Sequence, residues 1–405
     1  MDHQQLLARL AHTHNSRLVL LVLDGVGDLR TEGQPETALE AADLPHLDAL
    51  ARQSALGRVV PVATGVTPGS GPGHLSLFGY DPTSPAADIG RGVLEALGLG
   101  LDVKPGEVAV RCNFATADSA GNLTDRRAGR IPSSECQRLC DKIRESLGES
   151  TDLEVQIQPG EEHRFVLILS GGGLSHEIAD TDPQETGIPP LPPRPLAPSA
   201  AESATRISSL IEVMVQAIAD EPQANRVLLR GFSVLPDLPS LTDLHKIRCG
   251  AFAGYPLYRG VAAACGMEVV PCGKDFSEIL TTVEEHWERF DYFFLHVKQT
   301  DKAGEDGDLA KKIQVLEHVD AELPRLLALE PTVLAITGDH STPAPMAAHS
   351  WHPVPLLLHG PNCFIDDSKE YTETAAVAGH VGTMPSRDLM GLMLANAGRL
   401  AKFGA

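Results

Sequence analysis

A chain of 405 residues with 42% hydrophobic and 21% charged side chains has the make-up of a folded globular protein of two or three domains, which excludes fibrous and disordered classes. Its formal net charge of −21 excludes nucleic-acid binding through bulk electrostatics, because phosphate backbones attract basic surfaces. No apolar run approaches the ~20 residues of a membrane span, the polar start from Met1 to Arg17 is no secretory leader, and the seven cysteines are odd in number without a Cys-x-x-Cys pair. These features predict a cytoplasmic protein with reduced thiols and no membrane partner.

In chain order, the apolar run Leu18 to Leu23 predicts a buried strand ending at Asp24. Asp43-Leu44-Pro45 then opens a helix, where Asp can cap and Pro fits the first turn, and Gly57 is expected to close it. A short strand at Arg58 to Val62 leads into Thr67-Pro68-Gly69-Ser70-Gly71-Pro72-Gly73-His74, a turn expected to deliver Ser70 to a helix N-terminus. From Val108 the expected elements change. They run strand (108–113), helix (134–147), strands (153–158 and 164–170), helix (201–218) and strand (226–230), an order that suits a ferredoxin-like α+β sandwich. The stretch Ile188 to Pro198 holds six prolines and reads as a stiff surface excursion. Beyond it the βα alternation returns, with strands at Tyr292 to Val297 and Thr332 to Thr337 and an amphipathic helix at Lys311 to Leu327.

Three of the strands end beside acidic residues: Asp24, Asp301 and the pair Asp339-His340. In an open α/β sheet the carboxyl ends of parallel strands face the ligand crevice, so residues far apart in sequence can converge there. Buried carboxylates are tolerable when paired, protonated or bound to metal. The candidate ligands Asp24, Asp301, Glu305, Asp339, His340 and His349 are the oxygen and imidazole donors of paired divalent-metal sites, and Ser70 at a glycine-rich helix start suits an activated nucleophile. The acidic, glycine-bearing stretch around Asp301 and Glu305 reads as a loop. Because Asp24 and Ser70 precede the middle segment and Asp301 and Asp339 follow it, residues 103–232 are expected to form an inserted cap domain, with 1–102 and 233–405 making one discontinuous metal-binding core.

Several motifs carry a family resemblance. They are Leu-Asp-Gly-Val-Gly-Asp (23–28), Pro-Gly-Ser (68–70), His-Leu-Ser-Leu-Phe-Gly-Tyr-Asp-Pro (74–82), Gly-Arg-Gly (90–92), Arg-Cys-Asn-Phe-Ala-Thr (111–116), Asp-Arg-Arg-Ala-Gly-Arg (125–130), Ala-Asp-Thr-Asp-Pro (179–183), Thr-Gly-Asp-His (337–340) and Arg-Asp-Leu-Met (387–390). With them, nearly the whole chain resembles the archaeal-type, cofactor-independent phosphoglycerate mutases of the alkaline phosphatase superfamily.

The resemblance implies an α/β fold: an alkaline-phosphatase-like core with a mostly parallel sheet flanked by helices, plus the smaller α+β cap. It implies interconversion of 3-phosphoglycerate and 2-phosphoglycerate without 2,3-bisphosphoglycerate, through a phosphoserine at Ser70. Asp24, Asp339 and His340 would hold the metal that activates Ser70, and Asp301 and His349 the other. Lys298 would touch the transferring phosphoryl group, and His74, Arg91, Arg111, Asn113, Arg126, Arg127 and Arg130 the substrate. The implied cofactors are two divalent cations, Mn²⁺ first, with Zn²⁺, Co²⁺ or Mg²⁺ as alternatives. One position departs from the family pattern Asp-x-x-x-His-Asp-Gly: Glu305 stands where the histidine would be. A carboxylate there favours the harder cations. The rival readings are a phosphatase or mutase acting on another small phosphate ester, and a metal-impaired binding or regulatory protein.

Overall fold

The structure is a computed structural model, and it describes residues 3–147 and 152–404. The strands, in chain order, are β1 (Leu18–Leu23), β2 (Ala55–Val60), β3 (Val108–Ala117), β4 (Leu123–Asp125), β5 (Glu154–Pro159), β6 (Arg164–Ser170), β7 (Arg226–Ser233), β8 (Cys249–Ala253), β9 (Glu268–Val269), β10 (Tyr292–Val297), β11 (Val333–Thr337), β12 (Val354–His359) and β13 (Gly382–Pro385). The chain divides into two compact units, one formed by 1–88 with 238–405 and the other by 89–237.

The first unit is built on an eight-stranded sheet in the order β13-β2-β12-β11-β1-β10-β8-β9. Five of its pairings are parallel, and only those of β12, with β11 and β2, are antiparallel. The central strands β1, β10 and β11 are buried along their whole length, as parallel strands covered on both faces must be, which is why they read as largely apolar runs, interrupted in β10 by His296. Pairing aligns Leu23 with Val297 and Val22 with Thr337. The register therefore brings the carboxyl ends of all three strands side by side, with Asp24, Lys298 and Gly338-Asp339-His340 next in the chain.

The second unit has a sheet whose main order is β7-β3-β6-β5, with β4 pairing the far end of β3. That order, with all pairs antiparallel, is the ferredoxin-like arrangement expected from the element sequence. Side chains alternate across it. Val108, Val110, Cys112, Phe165, Leu167 and Leu169 pack towards the helices Ser133–Leu147 and Ala201–Ala217, while Ala109, Val166 and Ile168 pack against Val93 and Ala96 of the helix Arg91–Gly98. This last helix covers the sheet's other face, so the unit begins at Ile89 and not at Val103, and it ends at Asp237 and not at Phe232. The proline-rich stretch 188–198 carries neither helix nor strand until the short turn at Pro198.

Two local expectations are corrected. Gly57 does not close the helix Pro45–Ala51. It lies inside β2, where a Cβ would sit 2.7 Å from the carbonyl oxygen of Gly382 on the neighbouring strand. The segment after β10 is not a loop but a short helix, Gln299–Glu305. Its Gly304 serves close packing, since a Cβ there would lie 2.3 Å from the Thr342 carbonyl oxygen.

Candidate metal centre

The first unit gathers its polar residues where β1, β10 and β11 end. Asp24, Asp301, Asp339 and His340 are completely buried. Asp301 and Glu305, four residues apart on one helix, share a face. Among the described residues two groups of three emerge, each with one potential ligand atom per residue and all three atoms within 4.8 Å of one another: Asp24 with Asp339 and His340, and Asp301 with His340 and His349. His340 belongs to both. Its Nε2 lies 3.3 Å from Asp24 Oδ1 and 3.3 Å from Asp339 Oδ2, while Nδ1 lies 3.9 Å from Asp301 Oδ1. The two carboxylate oxygens facing Nε2 are buried and make no hydrogen bond; His74 Nδ1, 3.1 Å from Asp339 Oδ2, is engaged instead with the Ser70 carbonyl oxygen. Orphaned buried carboxylate oxygens aimed at a shared imidazole form the donor set a divalent cation requires.

His349 joins from a different direction. Its Nδ1 lies 3.1 Å from the Pro68 carbonyl oxygen, which turns Nε2 towards Asp301 Oδ1 at 3.5 Å and Glu305 Oε1 at 3.6 Å, and its ring stacks on His340 at 3.7 Å between centroids. Glu305 is the outermost member, with 53% of its side chain exposed.

Ser70 is the first residue of the helix Ser70–Leu77, after the cap residue Gly69, and its Oγ lies 3.4 Å from His340 Nε2. The helix is held against the metal-ligand loop by Gly73, where a Cβ would lie 2.4 Å from the Asp339 carbonyl oxygen. Lys298 sends its Nζ to Asp301 Oδ2 at 2.5 Å and Asp24 Oδ2 at 3.3 Å, with about a fifth of the side chain exposed. Burial lowers its proton affinity, but Asp24 and Asp301 outweigh that and raise it above the ordinary lysine value. Burial pushes the Asp24 carboxyl up, and His296, Lys298 and His340 more than reverse this and hold it well below the ordinary range.

His74 is wholly buried, like Asp24, Asp339 and His340. Its Nδ1 lies 2.8 Å from the Ser70 carbonyl oxygen and 3.1 Å from Asp339 Oδ2. Burial would make its imidazole less basic, and Asp339 and Asp24 reverse the shift.

Residues that motif reasoning did not find complete the layer behind the ligands. His296 interrupts the apolar run of β10 and places Nε2 3.0 Å from Asp24 Oδ2, stacked at 3.6 Å on Tyr258. Thr300 donates its hydroxyl to the Asp24 carbonyl oxygen at 2.5 Å. Lys312, fully buried, donates to the carbonyls of Gly25, Gly27 and Thr342. The available signal was the polar residue inside an apolar strand and the lysine on the buried stripe of a helix.

The arginines singled out from the sequence lie in the second unit. Arg126 is engaged by Asp182 through Nε at 2.7 Å and Nη2 at 2.8 Å, and its Nη1 donates to the Gln184 carbonyl, so its guanidinium fork is committed inside the unit. Arg230, which was not singled out, shares Asp182 at 3.2 Å. Arg127 and Arg130 are exposed on a turn whose Ala128, Gly129 and Arg130 all have positive φ (46°, 62° and 52°), with the Asp125 carboxylate accepting from the Arg127 and Gly129 amides. Two non-glycine residues in that conformation carry strain that the Asp125 bonds help to hold. Arg91 is exposed at the start of its helix. Arg111 has a buried Nε that makes no hydrogen bond and lies 3.9 Å from Glu95 Oε2, and burial together with Arg164, Arg230 and Arg91 draws its guanidinium below the usual value despite Glu95. Asn113 is buried, and its Oδ1 has no partner.

Comparison with known proteins agrees with this chemistry. Residues 51–224 match the family described as 2,3-bisphosphoglycerate-independent phosphoglycerate mutase. Probable enzymes of that name from a Thermus thermophilus strain and from Thermotoga neapolitana are 48% and 46% identical, with complete coverage of both chains. Among solved structures, a Pyrococcus horikoshii protein superposes with a TM-score of 0.81 at 28% identity, covering 96% of this chain and 99% of its own. The cofactor-independent phosphoglycerate mutase of Thermoplasma acidophilum superposes with a TM-score of 0.72 at 28% identity, covering 94% and 100%. The chain belongs to the 2,3-bisphosphoglycerate-independent phosphoglycerate mutase family.

Proposed function

We propose that this chain interconverts 3-phosphoglycerate and 2-phosphoglycerate through a phosphoserine at Ser70. The observation that carries the proposal is the convergence of two three-residue ligand groups on His340, with Ser70 Oγ 3.4 Å from the ring nitrogen facing the Asp24–Asp339 pair. As a mutase of this family the enzyme is an isomerase, an intramolecular phosphotransferase.

Asp24, Asp339 and His340, with Ser70, would hold one divalent cation, and Asp301, Glu305 and His349 the other. Oxygen and imidazole donors with an added carboxylate suit Mn²⁺, with Mg²⁺, Co²⁺ and Zn²⁺ as weaker fits. When bound, such a pair supplies Lewis acidity that favours the deprotonated hydroxyl and neutralises charge on a transferring phosphoryl group.

In the first transfer the bond between phosphorus and Ser70 Oγ forms as the substrate's ester bond breaks, and the hydroxyl proton lost from Ser70 is matched by the one gained on the freed glycerate oxygen. In the second, the other glycerate hydroxyl attacks phosphorus, the Oγ–P bond breaks, and the proton balance reverses. Lys298 places positive charge among the carboxylates where the phosphoryl oxygens would gather. Amides at the start of the Ser70 helix add partial positive charge. Arg91, Arg111, Arg127 and Arg130 are the cations that the second unit offers to a carboxylate, and the unpartnered Asn113 Oδ1 is an acceptor suited to a hydroxyl. Arg126 and His74 act by holding neighbouring groups in place. Among the described residues no helix is long and apolar enough to cross a membrane, and all seven cysteines are free thiols, which supports a cytoplasmic setting.

A phosphorus NMR time course with the Mn²⁺-loaded chain and 3-phosphoglycerate, without added bisphosphoglycerate, tests the reading. Formation of 2-phosphoglycerate is expected, and Ser70→Ala should fold but not transfer. Release of free phosphate alone, or mutase turnover surviving in Ser70→Ala, refutes it.

A further inference from the structure

We infer that Thr342 is the positioning residue that couples the two ligand groups, with its hydroxyl deciding which nitrogen of His340 is free to bind a cation. This inference rests on the two-cation reading above.

The geometry runs in one direction. Thr342 Oγ1 lies 2.5 Å from Asp301 Oδ1 and 3.0 Å from His340 Nδ1. An ionised carboxylate only accepts, so the Thr342 proton points to Asp301. The hydroxyl's lone pair then faces His340, whose Nδ1 must carry the ring proton in order to donate. With the proton on Nδ1, Nε2 keeps its lone pair, and Nε2 is the nitrogen that faces Asp24 Oδ1, Asp339 Oδ2 and Ser70 Oγ. A carboxylate of one group thus sets the tautomer of the histidine serving the other. Partners of this kind orient metal-binding imidazoles, and losing one costs about 10- to 100-fold in metal affinity.

The surroundings are shaped for this hydroxyl. Thr342 is completely buried. A Cβ on Gly25, at φ +61°, would lie 2.4 Å from Thr342 Oγ1 and 2.7 Å from Asp301 Oδ1, so a side chain directly after Asp24 would fill the space the bridge occupies. The backbone is clamped as well. The Thr342 amide lies 3.2 and 3.1 Å from the Gly25 and Gly27 carbonyl oxygens, and its own carbonyl accepts from Lys312 Nζ at 2.9 Å.

The test compares Thr342→Ala with Thr342→Ser, which share the loss of the methyl and differ only in the hydroxyl. Mn²⁺ is titrated calorimetrically into chelator-stripped protein, alongside a thermal melt of each variant. Two sites are expected in the wild type and in Thr342→Ser, with Thr342→Ala weaker at both by about 10- to 100-fold while remaining folded. Equal affinities in the Ala and Ser variants overturn the role of Thr342. A wild type that takes up fewer than two cations overturns the proposed function instead. Nitrogen-15 spectra of the metal-free wild type, with the His340 resonance identified by its loss in His340→Asn, provide a readout that needs no variant at Thr342. Protonation at Nδ1 is expected, and protonation at Nε2 refutes the inference.

Discussion

Replacing Lys312 with Met should cost the first unit about 3–5 kcal/mol, the range for removing one partner of a buried charged cluster. Lys312 is completely buried and donates to the carbonyls of Gly25 at 3.0 Å, Gly27 at 3.2 Å and Thr342 at 2.9 Å, with Asp28 3.8 Å away. Three bonds from a charged donor at ~1.5–3 kcal/mol each give a gross loss of roughly 5–9 kcal/mol. The ammonium no longer has to leave water, which returns several kcal/mol and leaves the smaller net figure. Both tryptophans, Trp287 and Trp351, lie in the first unit, so urea unfolding followed by tryptophan fluorescence reports on that unit without interference from residues 89–237. The adjacent Lys311→Met is the control, since Lys311 is exposed and its loss should stay within about 0.5 kcal/mol. A loss below about 1 kcal/mol for Lys312→Met would show that the three carbonyls find other donors, and would refute the clamp.

Glu305→His should shift relative affinity from Mn²⁺ towards Zn²⁺ in a competition titration, because imidazole is the softer donor, and an unchanged ratio would place Glu305 outside the ligand set. Gly73→Ala should destabilise the fold by about 1–3 kcal/mol and weaken the cation group containing Asp339, because its Cβ would meet the Asp339 carbonyl oxygen at 2.4 Å; unchanged melting and unchanged titration together would contradict this. Burial lifts the Glu373 carboxyl to about 7 from the model-peptide 4.5, although Thr37, the Asp28 amide and Lys312 oppose the rise. A raised folded-state value means that the group's stabilising contribution is complete below about 4.5 and is lost as the pH climbs through about 7. The stability gap between Glu373→Gln and the wild type should therefore move in the variant's favour by about 3 kcal/mol across that window, and a pH-independent gap would refute the assignment.

The strand ends were legible because a parallel strand buried on both faces leaves an uninterrupted apolar run, and the first polar residue after it marks the carboxyl end. Leu18 to Leu23 before Asp24 shows this directly, and Tyr292 to Val297 before Lys298 shows it with one interruption, at His296. The Asp301 helix was misread because glycine normally weakens helices. Gly304 is there for the space it leaves to the Thr342 carbonyl, a contact made by residues far apart in the chain. The helix Arg91–Gly98 was assigned to the wrong unit for a related reason. Its Val93 and Ala96 give it a buried stripe, but a stripe does not say which sheet covers it.

The supporting polar layer was the least legible part, and its physics explains why. Asp24 is a ligand candidate from its position alone, but what makes three buried carboxylates tolerable so close together is supplied by other segments. His296 and Lys298 reach Asp24, His74 reaches Asp339, and Thr342 reaches Asp301. Each of these is an ordinary residue in its own sequence context, and its role exists only once β1, β10 and β11 are in register. Removing a donor from such a layer leaves a buried oxygen unpaired, which costs more than the bond itself contributed. The layer therefore acts as one unit, in which a change at Thr342 or Lys312 is felt at ligands those side chains never touch. Ligands carried on rigid strand ends and braced from behind are held near a productive arrangement by the fold itself, which is the condition for a site to position a phosphoryl group rather than merely attract one.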